Sequence, residues 1–438
     1  MSELLQNPSV LMTIAFVLAC LVYFTLKMYL SQRQIAHIHA QRHAVPAPFD
    51  EKISLENHQN AAEYALARLR FGQKNLWVSL LLLLFWTLGG GLTALASMTL
   101  SITSHPLHFG VLFVVLFSVI GSVIDLPMSY FSQFKIEQRF GFNRMSIGLW
   151  LTDMLKGAVM SAAIGVPLIY GVLWFIQIAP STWWLWAWLL FVALNLLMLW
   201  LYPTVIAPLF NKFTPLADET LKARLDALLA RCGFASNGMF VMDGSRRSAH
   251  GNAYFTGFGR NKRIVFFDTL LKQLTEPQIE AVLAHELGHF HHKHILKRLA
   301  VMLPIGFLVF ALLGYLSQQL WFYDGLGVND GVGSLKVLSQ NNTHLFAVGL
   351  VLFTLVLPVF TFIFAPLTSR GSRRDEFQAD AFAVHNSNGQ DLIDALVNMY
   401  QENASFVGTD ALYSKFYDSH PPATLRVAHI AQLLKASS

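Results

Sequence analysis

The chain has 438 residues, of which 54% are hydrophobic and only 13% are charged, and its net charge is +5. Soluble domains carry a charge on about a quarter of their residues, so an ordinary soluble protein is excluded and much of the chain must contact lipid. The basic residues fall where membrane topology requires them, so we expect no nucleic-acid partner.

Apolar stretches long enough to cross about 30 Å of hydrocarbon occur seven times along the chain, and each predicts a transmembrane helix. Within the second stretch, Gly89, Gly90 and Gly91 follow one another, and we expect them to allow close helix packing. The seven stretches lie near residues 10–30, 76–98, 108–128, 149–178, 182–210, 299–322 and 345–368.

Basic residues are unevenly distributed over the connections between these stretches. Residues 31–75 contain six Lys and Arg residues and residues 129–148 contain three, whereas 99–107 and 179–181 contain none. Connections rich in Lys and Arg face the cytoplasm. We therefore predict an integral membrane, multi-pass protein with its N-terminus outside and its C-terminus in the cytoplasm.

Three segments outside the predicted spans are long enough to fold, and all fall on the predicted cytoplasmic side. In the middle one, Asp218 is a candidate N-cap for a helix that Gly233 ends, and short strands follow. The three segments are 31–75, 211–298 and 369–438, and the expected strands are 238–243, 252–258 and 263–268, with a hairpin turn at 259–262.

A capping box opens the next predicted helix. Thr275, Glu276, Pro277 and Gln278 combine an N-cap threonine, a proline in the first turn and a glutamine three residues after the threonine. The apolar period continues to about Arg298, so we expect one helix over this range.

This helix carries HELGH at residues 285–289, an HExxH motif. His285 and His289, at i and i+4, lie on one helix face and can bind one Zn²⁺ together. Zinc lowers the pKa of a bound water to about 7, and Glu286 can accept that water's proton and later donate it to the leaving amine. A histidine-rich surface helix is the alternative, because further histidines follow at His291, His292 and His294.

The third zinc ligand must come from elsewhere in the chain. Ile295 occupies the position at which an extended motif has its third histidine. After Glu286 the chain has only two glutamates, Glu376 and Glu402, and Glu376 is preferred because it follows the seventh span directly. Asp380, one helical turn later, can orient a ligating histidine, although such charges can also simply mark the end of a span. Three protein ligands and one water make a catalytic zinc site, with one zinc per subunit.

Several motifs together resemble the M48 metallopeptidases, and among them the Ste24 type of CAAX prenyl protease. The resemblance covers nearly the whole chain. Besides HELGH, the motifs are IEQRFGFN at 136–143, PLFNKF at 208–213, SAHGNAY at 248–254, SRRDEFQAD at 372–380 and SHPP at 419–422.

The resemblance implies a mainly α-helical polytopic membrane protein. Seven transmembrane helices would enclose a water-filled intramembrane chamber, and a zincin-like α+β metalloprotease domain would face it. The same resemblance implies zinc binding by His285, His289 and Glu376, with Glu286 as the catalytic base and Asp380 as a supporting acid.

The substrate that the resemblance implies is a prenylated CAAX-type protein or peptide, which loses its last three residues. Asn252 and Ala253 would lie on a strand that pairs with the substrate backbone. His420 would stabilise the oxyanion, with Arg426 near it. Spacing alone favours a turn histidine for His420, next to two prolines, and the role of His250 stays open.

We expect four segments in the chain. Residues 1–210 form a membrane region with five transmembrane helices, 211–298 and 369–438 form two parts of a metalloprotease domain, and 299–368 supply the last two spans.

The tail lacks a dilysine retrieval signal, which favours a bacterial inner membrane over an endoplasmic reticulum membrane. A bacterium need not have a prenylated substrate, so a quality-control metalloprotease of broader specificity is the alternative function. Besides the peptide or protein substrate, membrane lipid is the expected partner.

Overall fold

The structure, a computed structural model, describes residues 6–256, 263–328 and 343–437. Most of these residues are helical, with one small sheet. The turn expected at 259–262 lies outside the described residues.

Long apolar helices form the N-terminal half of the molecule. Two of them continue into π-helical turns, at Ser132–Glu137 and Tyr202–Ile206. The helices are α1 Pro8–Gln41, α2 Leu55–Trp86, α3 Gly91–Ile102, α4 Pro106–Phe131, α5 Ile147–Ile178, α6 Trp183–Leu201 and the short α7 Ala207–Phe210.

The predicted set of membrane spans is confirmed with one change. Within the described residues, six helices are long and apolar enough to cross a membrane, and α2 and α3 together supply a seventh span that is bent by 56°. Gly90 at the bend has a φ of +76°, which glycine adopts without a steric cost. The glycine run therefore changes the direction of the span, a role that differs from the close helix packing we expected.

The first of the three segments predicted outside the spans is mainly helical. Residues 31–75 consist mainly of the end of α1 and the start of α2, which continue beyond the apolar stretches. These two helix ends therefore extend beyond the apolar stretches toward the sheet-containing domain.

The sheet-containing domain begins directly after α7. Its predicted strands are confirmed, and β1 is a strand that the sequence did not indicate. The order of the strands in the sheet is β1-β2-β4-β3, with β2 and β4 parallel and the other pairs antiparallel. Elements in chain order are β1 Phe213–Pro215, α8 Glu219–Arg231, β2 Met239–Met242, β3 Ala253–Thr256, β4 Arg263–Phe267, α9 Asp268–Gln273 and α10 Glu276–His291.

Both predicted helix starts in this domain are confirmed. The Asp218 side chain accepts hydrogen bonds from the backbone N–H groups of Thr220 and Leu221, and Thr275 and Gln278 form the capping box of α10. The expected single helix to Arg298 is wrong, because α10 ends at His291 and a left-handed residue, Lys293 with a φ of +55°, precedes the next helix.

The remaining helices complete the membrane region and the protease domain. They are α11 His294–Leu316, α12 Leu320–Asp324, α13 Thr343–Thr361, α14 Ala365–Asn386, α15 Gly389–Glu402, α16 Ala411–Tyr417 and α17 Ala423–Ser437.

Two large hydrophobic cores and two smaller buried clusters hold the described elements together. The membrane core includes Phe16, Phe109 and Leu173. The second core joins buried side chains before α11, such as Leu287, to buried side chains after α13, such as Ile430. Burial of apolar surface therefore connects segments that lie far apart in the sequence.

Candidate functional site

The site lies where α10 packs against α14. Gly288 of α10 faces Ala379 of α14 so closely that an added Cβ would lie 2.8 Å from the Cα of Ala379. A glycine is therefore needed for the two helices to approach to this distance. The close approach brings Glu376 of α14 opposite His285 and His289 of α10.

The nitrogen and oxygen atoms of these side chains lie close enough together to bind one metal ion. The Nε2 atoms of His285 and His289 are 3.3 Å apart, Nε2 of His285 is 3.4 Å from Oε2 of Glu376, and Nε2 of His289 is 3.4 Å from Oε1 of the same carboxylate. Ligands about 2.0–2.1 Å from a tetrahedral zinc are separated by roughly 3.3–3.4 Å. Among the described residues, these three form the only group of metal-binding side chains close enough to hold one ion, and they fit zinc.

Asp380 and Arg426 support the first histidine of the motif. His285 places its Nδ1 2.9 Å from Asp380, and Arg426 donates from Nε to the same carboxylate at 2.9 Å. All three side chains are buried. A carboxylate on Nδ1 fixes the ring tautomer that leaves Nε2 as the metal-binding nitrogen. The guanidinium compensates the buried charge of that carboxylate.

His294 supports the second histidine, a contact that the sequence did not reveal. The Nδ1 atoms of His289 and His294 are 2.9 Å apart, and Nε2 of His294 lies 3.0 Å from Oε1 of Gln378. His294 is only 1% exposed, so it is not part of a histidine-rich surface. The left-handed Lys293 breaks the helix and turns His294 back toward His289, which a continuous helix would not do.

Burial also sets the proton affinities of two side chains on α10. The pKa of His289 is lowered to about 4, first by burial and then by the nearby His285. The ring is therefore neutral, as a metal ligand must be. Burial, together with the charge of Glu376, raises the pKa of Glu286, which makes this carboxylate a stronger proton acceptor.

His420 reaches the same carboxylate from the loop after α16. Its Nδ1 lies 2.8 Å from Glu376, and its side chain remains 63% exposed. Arg373 of α14 holds the end of α16 and the start of this loop by donating to the backbone carbonyls of Ser414 and Asp418 at 2.9 and 3.1 Å. No pattern in the sequence indicated this role for Arg373.

Asn252 and Ala253 lie at the start of β3. The Asn252 carbonyl accepts a hydrogen bond from the Phe267 N–H, and Ala253 pairs with Phe266 of β4. In the described sheet β3 is an edge strand, and its other side is unpaired.

His250 belongs to a different set of contacts. Its ring stacks on Phe142 with 4.1 Å between ring centroids, and its Nδ1 lies 3.2 Å from the Asn403 side chain. These contacts join the loop before β3 to the region after the π-helical turn of α4. Within the described structure His250 is not part of the metal-binding group.

An HExxH helix and a glutamate from a second helix, on an α+β domain anchored by seven spans, define an integral membrane metallopeptidase. The comparisons with known proteins identify the family. Residues 34–212 match the family described as "CAAX prenyl protease N-terminal, five membrane helices", and residues 215–434 match peptidase family M48. The chain belongs to peptidase family M48 and, within it, to the CAAX prenyl protease 1 family.

Relatives match over almost the entire chain. CAAX prenyl protease 1 of Saccharomyces cerevisiae is 32% identical and covers 98% of this chain and 97% of its own length. A homolog from Arabidopsis thaliana is 33% identical, covering 94% of this chain and 95% of its own. The crystal structure of Ste24p from S. mikatae superposes with a TM-score of 0.87 at 29% identity, covering 96% of this chain and 99% of that one.

Proposed function

We propose that this protein is a zinc metalloendopeptidase that cleaves prenylated CAAX-type proteins or peptides near their C-terminus. The relatives named CAAX prenyl protease 1 support this substrate class, because they share nearly the whole length of the chain. The same full-length relation favours this substrate class over a quality-control protease of broader specificity.

The observation that supports the proposal is the convergence of His285, His289 and Glu376. The two histidine Nε2 atoms are 3.3 Å apart, and each lies 3.4 Å from a different carboxylate oxygen of Glu376. Zinc bound there would supply the Lewis acidity that activates water and polarises a scissile carbonyl. Glu286, on the same helix, would accept the proton of the attacking water and return it to the leaving amide nitrogen.

The surrounding side chains have separate duties in this proposal. Asp380, held by Arg426, fixes the tautomer of His285 through its Nδ1. His420 contacts Glu376 through Nδ1. When both ring nitrogens carry protons, Nε2 can donate to the carbonyl oxygen as negative charge develops there. Asp380 and Arg426 are thus positioning residues, and His420 is the candidate catalytic donor.

The unpaired side of β3 supports the proposed substrate site. An extended peptide can add to a free strand edge by main-chain hydrogen bonds, and Asn252 and Ala253 lie where such a peptide would begin to pair. The implied intramembrane chamber would admit the prenyl chain from the lipid. Arg426 would affect substrate only indirectly, because its two shortest contacts are with Asp380 and its others are with the metal-binding His285 and Glu376.

We also propose that residues 211–298 and 369–438 are two parts of one protease domain on the cytoplasmic side. Their shared hydrophobic core supports one domain. The excess of Lys and Arg in 31–75 and 129–148 supports its location on the cytoplasmic side. The type of membrane, bacterial inner membrane or endoplasmic reticulum, follows from the host in which the gene is found.

The test compares one CAAX peptide in farnesylated and unmodified forms, incubated with the purified protein in detergent. Glu286→Ala is the blank, and Glu402→Ala, which changes an exposed glutamate of α15, is the matched control. We expect the wild type and Glu402→Ala to cut only the farnesylated peptide, before its last three residues. Equal cutting of both peptides would contradict the substrate class. Cutting of neither peptide above the Glu286→Ala blank would contradict the proposed function as a whole.

A further inference from the structure

A cavity of about 550 Å³ lies between α1 and α2, beside α16. We call it the α1–α2 cavity. Two cations, Lys27 and Arg68, line it together with the tyrosines Tyr23, Tyr413 and Tyr417. None of the described residues that line it is an Asp or a Glu. The lining therefore offers hydrogen-bond donors and positive charge without a carboxylate to neutralise them.

Neither cation has a carboxylate partner in the described parts of the chain. Lys27 donates from Nζ to the Tyr23 hydroxyl at 2.9 Å and lies 4.7 Å from the centre of that ring. The Arg68 guanidinium lies 5.4 Å from the centre of the Tyr64 ring. Aromatic rings and hydroxyls contact the two side chains but supply no negative charge of their own; of these groups, the carboxylate of Glu137 reaches only the hydroxyl of Tyr64. An anion in the cavity would supply the missing compensation.

The cavity lies at the level where the membrane hydrocarbon ends. Residues 8–26 of α1 carry no charge, and at about 1.5 Å per residue they span roughly 28 Å, close to the hydrocarbon thickness. Lys27 is the next residue. Tyr29 and Trp77 are about half exposed beside it, and Phe24 contacts Trp77 with 4.3 Å between ring centroids. Exposed Tyr and Trp residues mark the interface between hydrocarbon and headgroups.

Apolar surface continues from the cavity toward the membrane centre. Leu69 and Leu76 line its wall, and Trp77 and Leu81 follow on α2 with 53% and 64% of their surface exposed. A ligand that fits this arrangement has an anionic group at the level of Lys27 and Arg68 and apolar chains below it. We propose that the α1–α2 cavity binds the phosphate headgroup of an anionic phospholipid.

The placement of basic residues by topology alone does not account for this cavity. Arg70 and Lys74 lie on the same stretch of α2 and are exposed, yet neither lines the cavity. Arg68 is exposed as well, but of these α2 cations it is the one that lines the cavity, together with Lys27 from α1.

A lipid in this cavity would contact the segment that leads to the active site. Tyr413 and Tyr417 belong to α16, and His420 follows that helix within three residues. Arg33 of α1 also holds the start of α16 through a two-pronged contact with Asp410, at 3.0 and 2.8 Å. The headgroup would add to these contacts between α1 and α16.

The experiment measures binding of phosphatidylglycerol and of phosphatidylcholine with the same acyl chains to the purified full chain, by native mass spectrometry. Each cation near an anionic headgroup contributes about fivefold to binding. We therefore expect wild type to prefer phosphatidylglycerol by roughly tenfold or more, and Lys27→Gln/Arg68→Gln to lose this preference. Arg70→Gln/Lys74→Gln is the matched control and keeps it.

A double variant that preserves both charges distinguishes a loss of lipid binding from a folding defect. Lys27→Arg/Arg68→Lys should retain the preference for phosphatidylglycerol within about threefold, because the headgroup responds mainly to charge. The proposal is overturned if Lys27→Gln/Arg68→Gln keeps the preference, or if Arg70→Gln/Lys74→Gln loses as much. It is also overturned if Lys27→Gln/Arg68→Gln binds phosphatidylglycerol normally but raises the KM for a prenylated peptide, because the anion would then be the substrate.

Discussion

The contact between His289 and His294 leads to a prediction about metal affinity. A partner on the second ring nitrogen of a ligating histidine typically contributes 10- to 100-fold to metal affinity. His294 is such a partner, with 2.9 Å between the two Nδ1 atoms. We expect His294→Ala to weaken zinc binding by about that factor, measured by competition with a chromogenic chelator.

His291→Ala is the control for this measurement. His291 is an exposed histidine of the same cluster, and its ring packs on Phe382. Its replacement should leave zinc affinity within about twofold of wild type, since no ligand depends on it. Thermal unfolding of both variants separates a local change from a general loss of structure. Equal zinc affinity in His294→Ala and wild type would contradict the prediction.

At the scale of single residues, the sequence predicts the side chains whose spacing is set by one helix. His285 and His289 share one face of α10, and Glu376 and Asp380 share one face of α14, because each pair is four residues apart. Glu286 is adjacent to His285 in the same motif. The contributions of His294 and Arg373 could not be predicted. They depend on a left-handed backbone position and on a loop carbonyl, neither of which has a residue pattern of its own.

At the scale of helices, the close packing of α10 against α14 requires a glycine at position 288. A methyl group at this position would meet the backbone of Ala379 at 2.8 Å. Overpacking of this kind costs about 1–3 kcal/mol, so we expect Gly288→Ala to lower the midpoint of thermal unfolding. The helix shift should also weaken zinc binding.

Gly371→Ala is the matched control for Gly288→Ala. Gly371 lies in α14, and an added Cβ there would meet no atom within 4 Å. Replacing a helical glycine by alanine in open space stabilises a helix by roughly 0.5–1 kcal/mol. The two substitutions should therefore move the unfolding midpoint in opposite directions, and a shift in the same direction would refute the packing argument.

The contact between α1 and α16 predicts a pH dependence of stability. The Arg33 guanidinium lowers the pKa of Asp410 from the ordinary 3.8 to about 2. A carboxyl with a lowered folded pKa contributes stability above its unfolded pKa and loses it as the pH falls through the folded value. The midpoint temperature of thermal unfolding of wild type should therefore decrease as the pH falls from about 4 to about 2, because Asp410 becomes protonated.

Asp410→Asn removes the charge and keeps a side chain that can cap α16. The variant should unfold at a lower temperature than wild type at pH 6, and the difference should shrink toward pH 2. Asp226→Asn, at an exposed position of α8, is the control and should follow wild type at every pH. A difference between Asp410→Asn and wild type that stays constant from pH 6 to pH 2 would rule out the ion pair as its cause.

Helix starts could be predicted better than helix ends and bends. Asp218 and the capping box at Thr275 carry specific side-chain signals, and both are present in the structure. The break at Lys293 and the bend at Gly90 carry weaker signals, because a lysine rarely adopts a positive φ and a glycine run fits several structures. The strand β1 has only three residues, of which two are exposed, so it lacks an alternating pattern.

At the scale of the whole molecule, the number of spans between the zinc-binding segments decides whether the site can form. His285 precedes α11 and Glu376 follows α13, so two spans separate them. An even number of crossings returns the chain to the same side of the membrane. Hydropathy alone predicts this result, whereas the length of α1 and α2 beyond the membrane depends on contacts with the protease domain.

Seven spans would place the two termini on opposite sides of the membrane, and the distribution of Lys and Arg predicts that the C-terminus is in the cytoplasm. The chain has only two cysteines, Cys20 and Cys232, and serine can replace both. In that background Asn7→Cys and Ala436→Cys each introduce one thiol at an exposed position. On intact cells, a membrane-impermeant maleimide should label the Asn7→Cys variant and not the Ala436→Cys variant. The reverse pattern would mean that the zinc site is on the outer side of the membrane. Labelling of both variants would mean that the bent pair α2–α3 does not cross the membrane.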